Sequence, residues 1–330
     1  MNIYSLLKLN RFVKSPLIKG AGIWALHVLN KRYLVLFFDP VLACNLQCRM
    51  CYFSNEEKRK TLKGHFLEAD LSRIGKAIFP QALKLQIGCG AEPGIFKHNA
   101  AIVRLGKQYK IPYISFTTNA NLLTSDEITN LLEAGLDEFT ISLHGVRKDT
   151  YEYLMQGASY DKFIETLQAI STAKTAFPNF KLRINYTVNE QNLEELTSFF
   201  DAFKDIRIDV LQVRPIQDME GEIRFIKNKP LFNKRFNEIT LRMKEECAAR
   251  NITYIAPLQL KEVPEENKSS SIMEAVYCYL SPRSFWQEDM DWRNETFREY
   301  SKRTHYASHL FKMIFSKKQY PKNSLNYDIQ

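Results

Sequence analysis

Apolar side chains recur three and four positions apart over residues 67–79, 97–109, 125–134, 160–176 and 192–204, which predicts five amphipathic helices. Between them lie runs rich in β-branched and aromatic residues at 83–88, 112–118, 137–143, 181–188 and 208–215. An earlier run, YLVLFFD at 33–39, has the same character. Six βα units with right-handed crossovers build a parallel sheet that must curl or be covered on both faces. The fold class is α/β. Loops that follow the carboxyl ends of barrel strands gather at one mouth, so Cys44, Glu92, Asn119, Ser142 and the Arg214 region are expected to face one cavity.

The loop after the first strand carries three cysteines within eight residues, Cys44, Cys48 and Cys51 in CNLQCRMC. Three thiolates are one short of the four that close a structural zinc site or a four-cysteine iron–sulfur cluster, so a metal held by them keeps an open position. Two other readings stay open on spacing alone: a zinc knot completed by a histidine such as His65, or cysteines packed as small apolar residues.

The pattern resembles the signature of the radical S-adenosylmethionine (SAM) superfamily, CxxxCxφC, with Met50 at the usually aromatic φ position. Further family motifs follow in order. LQIGCGAEP (85–93) is similar to the GGEP turn after the second strand, with Ala91 for the second glycine. FTTNANLLT (116–124) carries the third strand's Thr-Asn, and FTISLHG (139–145) is similar to the fourth strand's SLDG end, with His144 for aspartate. The motifs cover about residues 33–216.

The resemblance implies a partial (β/α)6 TIM barrel in which Cys44, Cys48 and Cys51 hold one [4Fe-4S] cluster. The iron left free by the three thiolates chelates SAM. Reductive cleavage of SAM then gives a 5′-deoxyadenosyl radical that abstracts hydrogen from a substrate. That substrate would be a small molecule or peptide, with a sugar or surface-polymer precursor among the candidates, and the electron would come from a reductant such as flavodoxin or ferredoxin. By the same resemblance, Gly90, Ala91 and Glu92 are placed at the SAM amino group and Asn119 and Ser142 beside the cofactor. Arg183 and Asn185, two apart on one strand face, would lie at its carboxylate or ribose if that face looks inward. His144 is a candidate acid or base and Cys89 a candidate hydrogen-atom donor, each set against a plainer reading as a hydrogen-bonded histidine and a small buried cysteine. An alternative of a different class is a non-catalytic iron–sulfur or zinc protein that retains the barrel.

Composition narrows the rest. A chain of 330 residues with 45% hydrophobic content can bury one large core. We expect a basic N-terminal segment at 1–32, the barrel at 33–256 and a C-terminal extension at 257–330, reached through the polar stretch 262–271. The extension resembles the opening of an auxiliary-cluster domain around 277–292. It holds only Cys278, so one cluster and no auxiliary centre are expected.

Cysteine usage and the lack of a signal peptide suit a reducing cytoplasm. The net charge of +9 comes with scattered lysines and arginines and no nucleic-acid-binding motif, so no nucleic-acid partner is expected. Residues 1–26 mix Lys8, Arg11, Lys14 and Lys19 with large apolar side chains and no acid. Such a stretch suits either peripheral contact with an anionic membrane or a helix packed over one end of the domain.

Overall fold

The computed structural model describes residues 4, 13, 15–216, 225–257, 260, 268–270, 275–315, 319–321 and 327–329. Seven strands follow in chain order: β1 (Leu34–Phe38), β2 (Ala82–Ile87), β3 (Tyr113–Thr118), β4 (Glu138–Leu143), β5 (Lys181–Val188), β6 (Val210–Pro215) and β7 (Thr253–Pro257). Four shorter ones come later: β8 (Lys268–Ser270), β9 (Tyr277–Leu280), β10 (Gln319–Pro321) and β11 (Tyr327–Ile329). One sheet runs β11-β7-β6-β5-β4-β3-β2-β1-β9, parallel throughout except for β11, while β8 and β10 form a separate pair. The six expected βα units are present, and the sheet is wider than expected because β7 continues it beyond β6 and β9 beyond β1. Two expected segments lie partly outside the described residues, at 262–267 and 271 of the linker stretch and at 1–3, 5–12 and 14 of the N-terminal stretch.

Between the strands, residues Glu68–Ile78, Asn99–Gln108, Ser125–Glu133 and Tyr160–Ala173 are helical, within a few residues of expectation. The start of Ser125–Glu133 is fixed by a capping box, in which Thr124 and Glu127 satisfy each other's backbone N–H groups. Over 192–204 the chain instead forms a 3-10 turn, Glu194–Ser198, and one helical turn, Phe199–Ala202. The tight turn turns the Glu195 side chain inward, where its carboxylate accepts the N–H groups of Val146 and Arg147 and ties this segment to the loop after β4. Helices Lys148–Leu154 and Lys229–Ala249 were not anticipated.

Alternate residues of each strand face opposite sides. The outward row, including Leu36, Leu85, Phe116, Phe139, Ile184 and Leu211, is fully buried against the helices. Each such side chain contributes about 1.5–3 kcal/mol of burial. The inward row is polar. Registered neighbours on that side include Gln86 with Ser115, Thr117 with Thr140 and Arg183, and Ser142 with Asn185 and Gln212. A closed TIM barrel fills this space with branched apolar residues; here the lumen is lined with hydrogen-bonding groups.

At the amino-terminal end of the strands Glu138 gathers a polar plug. It accepts hydrogen bonds from the hydroxyls of Tyr4 and Tyr113 (2.8 Å to the latter) and faces the Arg183 guanidinium at 3.8 Å. Arg183 also donates to Asn185 Oδ1 at 2.9 Å and to Gln212 Oε1. This neighbourhood drives the Glu138 carboxyl down against the opposing effect of its burial.

Candidate functional site

The cysteine loop follows β1 at the carboxyl end of the sheet, and backbone bonds fix both its sides. Gln47 and Arg49 N–H groups donate to the carbonyls of Gln156 and Leu154 at 2.9 Å each, and Glu92 N–H donates to Ala43 O at 2.9 Å. The Arg49 guanidinium stacks 4.3 Å over the Tyr153 ring. Met50 is buried, and its sulfur accepts from Asn189 Nδ2, at the end of β5, at 3.0 Å. A large side chain at φ therefore anchors the loop on the far side of the mouth.

Cys44, Cys48 and Cys51 are all partly buried and unpaired. Burial raises the Cys44 thiol to about 11 and pushes Cys48 higher still, where the nearby Cys44 and Cys51 add to the effect. Burial also raises Cys51. Thiols held this far from ionisation lose their protons only to a strong cationic centre, so a metal centre fits the donor set. Among the described residues no three His, Cys, Asp or Glu side chains converge as ligands of a single ion. His65 makes a backbone bridge to Val41. A cubane has no such requirement, because each thiolate binds a different iron.

The turn after β2 packs against this loop. Gly88 has φ of +82°, and a Cβ there would lie 2.3 Å from Thr117 O. At Gly90 a Cβ would meet the Tyr52 hydroxyl at 2.5 Å. Tyr52, one residue past Cys51, donates to Gly90 O. Below the turn the Asp39 carboxylate accepts the N–H groups of Cys89 (2.7 Å) and Gly90 (2.9 Å) and the Tyr279 hydroxyl (2.8 Å), while burial raises its own pKa.

Glu92 is buried beneath the surface of the turn. It accepts from Gly94 N–H (2.9 Å), Thr118 Oγ1 (2.6 Å) and Asn119 N–H (2.8 Å), and burial raises its pKa. The Asn119 amide in turn donates to Asn45 Oδ1 at 2.8 Å and lies 4.0 Å from Cys44 Sγ. Gly90, Ala91, Glu92 and Asn119 are thus brought together with the cysteines.

The other candidates are spread along the lumen. Ser142 and Asn185 are registered neighbours, half-buried, one layer below the mouth. Arg183 lies in the plug with Glu138, away from the cysteine loop, because its guanidinium is taken up by that carboxylate and by Gln212. His144 is at the mouth, its Nδ1 fully shielded and without a hydrogen-bond partner. Burial and the nearby Arg214 push it down to about 3. The ring is neutral at ordinary pH. Cys89 is exposed, which corrects its plainer reading as a buried strand-end residue: its N–H is turned down onto Asp39.

Sequence reasoning missed Asp39, Tyr52, Tyr279 and Arg59. Arg59 donates to Cys44 O at 3.2 Å and carries a shielded, unpartnered nitrogen. A polar residue closing an apolar strand signals Asp39; the other three have no signature. Lys84 was also missed. It faces inward from β2 among protein on every side yet keeps accessible surface, and burial lowers it to about 8. The Tyr113 ring lies 5.9 Å from its ammonium, and no carboxylate comes within ion-pair distance of it among the described residues. Beside it on β3 the hydroxyls of Ser115 and Thr117 are shielded and unpartnered.

Residues 40–203 match the family model of the radical SAM superfamily. Among curated proteins, the chain is 28% identical over 177 residues to the "Probable GTP 3',8-cyclase" of Saccharolobus solfataricus, covering 53% of this chain and 55% of that protein. It is 25% identical over 170 residues to the protein of the same name from Sulfurisphaera tokodaii, covering 52% of each. The chain spans about half the length of the curated relatives it matches. Among solved structures, "Native anSMEcpe with bound AdoMet" superposes with a TM-score of 0.61 at 15% identity, over 86% of this chain and 84% of that one. Streptococcus suis SuiB bound to precursor peptide SuiA gives 0.55 at 21% identity, over 78% and 54%. These two likenesses establish the shared fold, a partial TIM barrel.

Proposed function

The chain belongs to the radical SAM superfamily through residues 40–203, and from that premise we propose that it activates a small, polar, anion-bearing substrate held in the barrel lumen. It is an enzyme of that family, whose members use a [4Fe-4S] cluster and SAM. When bound, these supply a carbon-centred radical able to take hydrogen from an unactivated carbon.

In this reading Cys44, Cys48 and Cys51 hold a single cluster, and the turn at Gly90 and Ala91, braced from below by Asp39 and Glu92, presents backbone groups to SAM. Asn119 couples that turn to the cysteine loop. Ser142 and Asn185 line the wall below. The residues of the mouth exclude water and hold the substrate in one orientation, which is where a barrel contributes to radical chemistry. A reductant such as flavodoxin or ferredoxin supplies the electron.

The observation that carries the substrate class is the inward stripe of β2 and β3. An ammonium at Lys84 that no described carboxylate reaches at ion-pair distance, beside unpartnered hydroxyls at Ser115 and Thr117, is a complement to carboxylate or phosphate oxygens. The relatives named as probable GTP cyclases are consistent with a phosphate-bearing substrate, although only half of their length is matched.

The test is calorimetric titration of anaerobically reconstituted protein with GTP, guanosine, and a sugar carboxylate. Binding by at least one anionic probe, none by guanosine, and loss of that binding in Lys84→Met support the reading. Equal binding of guanosine and GTP, or anion binding untouched by Lys84→Met, overturns the substrate class.

A further inference from the structure

We infer that the paired helices Pro16–Val28 and Tyr306–Ile314 form a docking surface for an anionic lipid bilayer, a site separate from the barrel mouth and independent of the substrate reading. The first helix is PLIKGAGIWALHV, and Gly20 is its only buried residue. A helix this apolar that buries so little has a face without a partner. It packs on the second helix through Trp24 and Phe311, whose rings lie 5.6 Å apart, and Phe311 continues to Phe315 at 5.3 Å. Of the twelve large apolar side chains exposed among the described residues, seven lie on these two helices or at their ends. Ile18 (63%), Leu29 (66%) and Phe315 (65%) are the most open. Such a concentration marks an interaction surface.

Charge identifies the partner. Residues 1–38 and 300–327 together contain twelve lysines and arginines and no aspartate or glutamate. The remainder holds 34 basic and 37 acidic residues, a net of −3, so the net positive charge of the protein comes from the sequence segments that include these helices. Lys312 is exposed on the second helix and Lys19 half-buried on the first, each next to the apolar residues. Apolar side chains flanked by cations suit insertion among headgroups of an anionic leaflet. A second copy of the chain would bring Lys19 and Lys312 against the same lysines of its partner, which disfavours self-association through this surface.

The test is flotation of the full, reconstituted chain with vesicles of phosphatidylcholine, alone or with roughly 30% phosphatidylglycerol, at low and high salt. The chain should float with the anionic vesicles only, and less so at high salt. Ile18→Asp with Phe315→Asp should reduce flotation at least about ten-fold while SAM cleavage with dithionite is retained. Leu231→Asp, which alters an exposed leucine on another helix, should float normally. Should the double variant fold poorly, Lys19→Glu with Lys312→Glu gives a second readout, at about five-fold for each cation removed near the surface. Three results would each overturn the inference: no flotation with anionic vesicles, flotation untouched by either pair of substitutions, or a concentration-dependent dimer that the substitutions abolish.

Discussion

The Glu92 carboxylate accepts the backbone N–H of Asn119 at 2.8 Å, joining the turn after β2 to the turn after β3. Its other oxygen holds Gly94 and Thr118. The carboxylate that the family resemblance would put at the SAM amino group therefore has three of its acceptor sites taken by the fold.

Glu92→Ala should accordingly lower stability as well as SAM affinity, by about 3 kcal/mol for the buried, charge-assisted bonds it removes. Chemical denaturation of the apoprotein reads this without any cofactor. A variant with unchanged stability and weakened SAM binding would restore Glu92 as a direct ligand group.

Gly90→Ala should perturb the turn, since the added Cβ meets the Tyr52 hydroxyl at 2.5 Å. A destabilisation of ~1–3 kcal/mol is the usual scale of such overpacking. Tyr52→Phe removes the clashing oxygen, so the double variant should be more stable than the sum of the two single changes predicts. Strict additivity would mean that the turn relaxes some other way.

Lys84 is lowered to about 8 by burial, the Glu138 charge acting against that shift and Arg183 with it. The side chain is cationic below that value and neutral above it. Affinity for an anionic substrate should therefore fall as pH rises through about 8, whereas an ordinary lysine would hold its charge to about 10.4. Calorimetry across that range, with Lys84→Met as the flat control, checks the sign.

His144 makes the opposite forecast. With its ring pushed down to about 3, it stays neutral through the working range. The rate of 5′-deoxyadenosine formation should show no inflection near 6.5 that His144→Gln removes. An inflection lost in that variant would reinstate the histidine as an acid or base.

Much of this architecture was legible in the residues. Outward rows such as Leu182, Ile184 and Tyr186 gave the strands their β-prone character, and the cysteine spacing marked the loop. The inward row was harder to read, because Thr117, Thr140 and Arg183 acquire a common role only through the stagger of parallel registers. The long helix Lys229–Ala249 does carry an apolar stripe, Phe232, Phe236, Ile239, Met243 and Cys247, but the many charged residues between these positions dilute it. Tyr279 could not have been paired with Asp39 from sequence, since 240 residues separate them and β9 reaches β1 only by extending the sheet.

The most direct measurement is iron and sulfide content together with dithionite-dependent 5′-deoxyadenosine formation in single cysteine variants after anaerobic reconstitution. Wild-type protein should hold about four irons and four sulfides per chain. Cys44→Ala, Cys48→Ala and Cys51→Ala should each lose the cluster and all SAM cleavage. Cys247→Ala and Cys278→Ala, which alter buried thiols in the long helix and in β9, should keep both. Full iron and activity in any of the first three variants, or stoichiometric zinc in place of iron, would contradict the account.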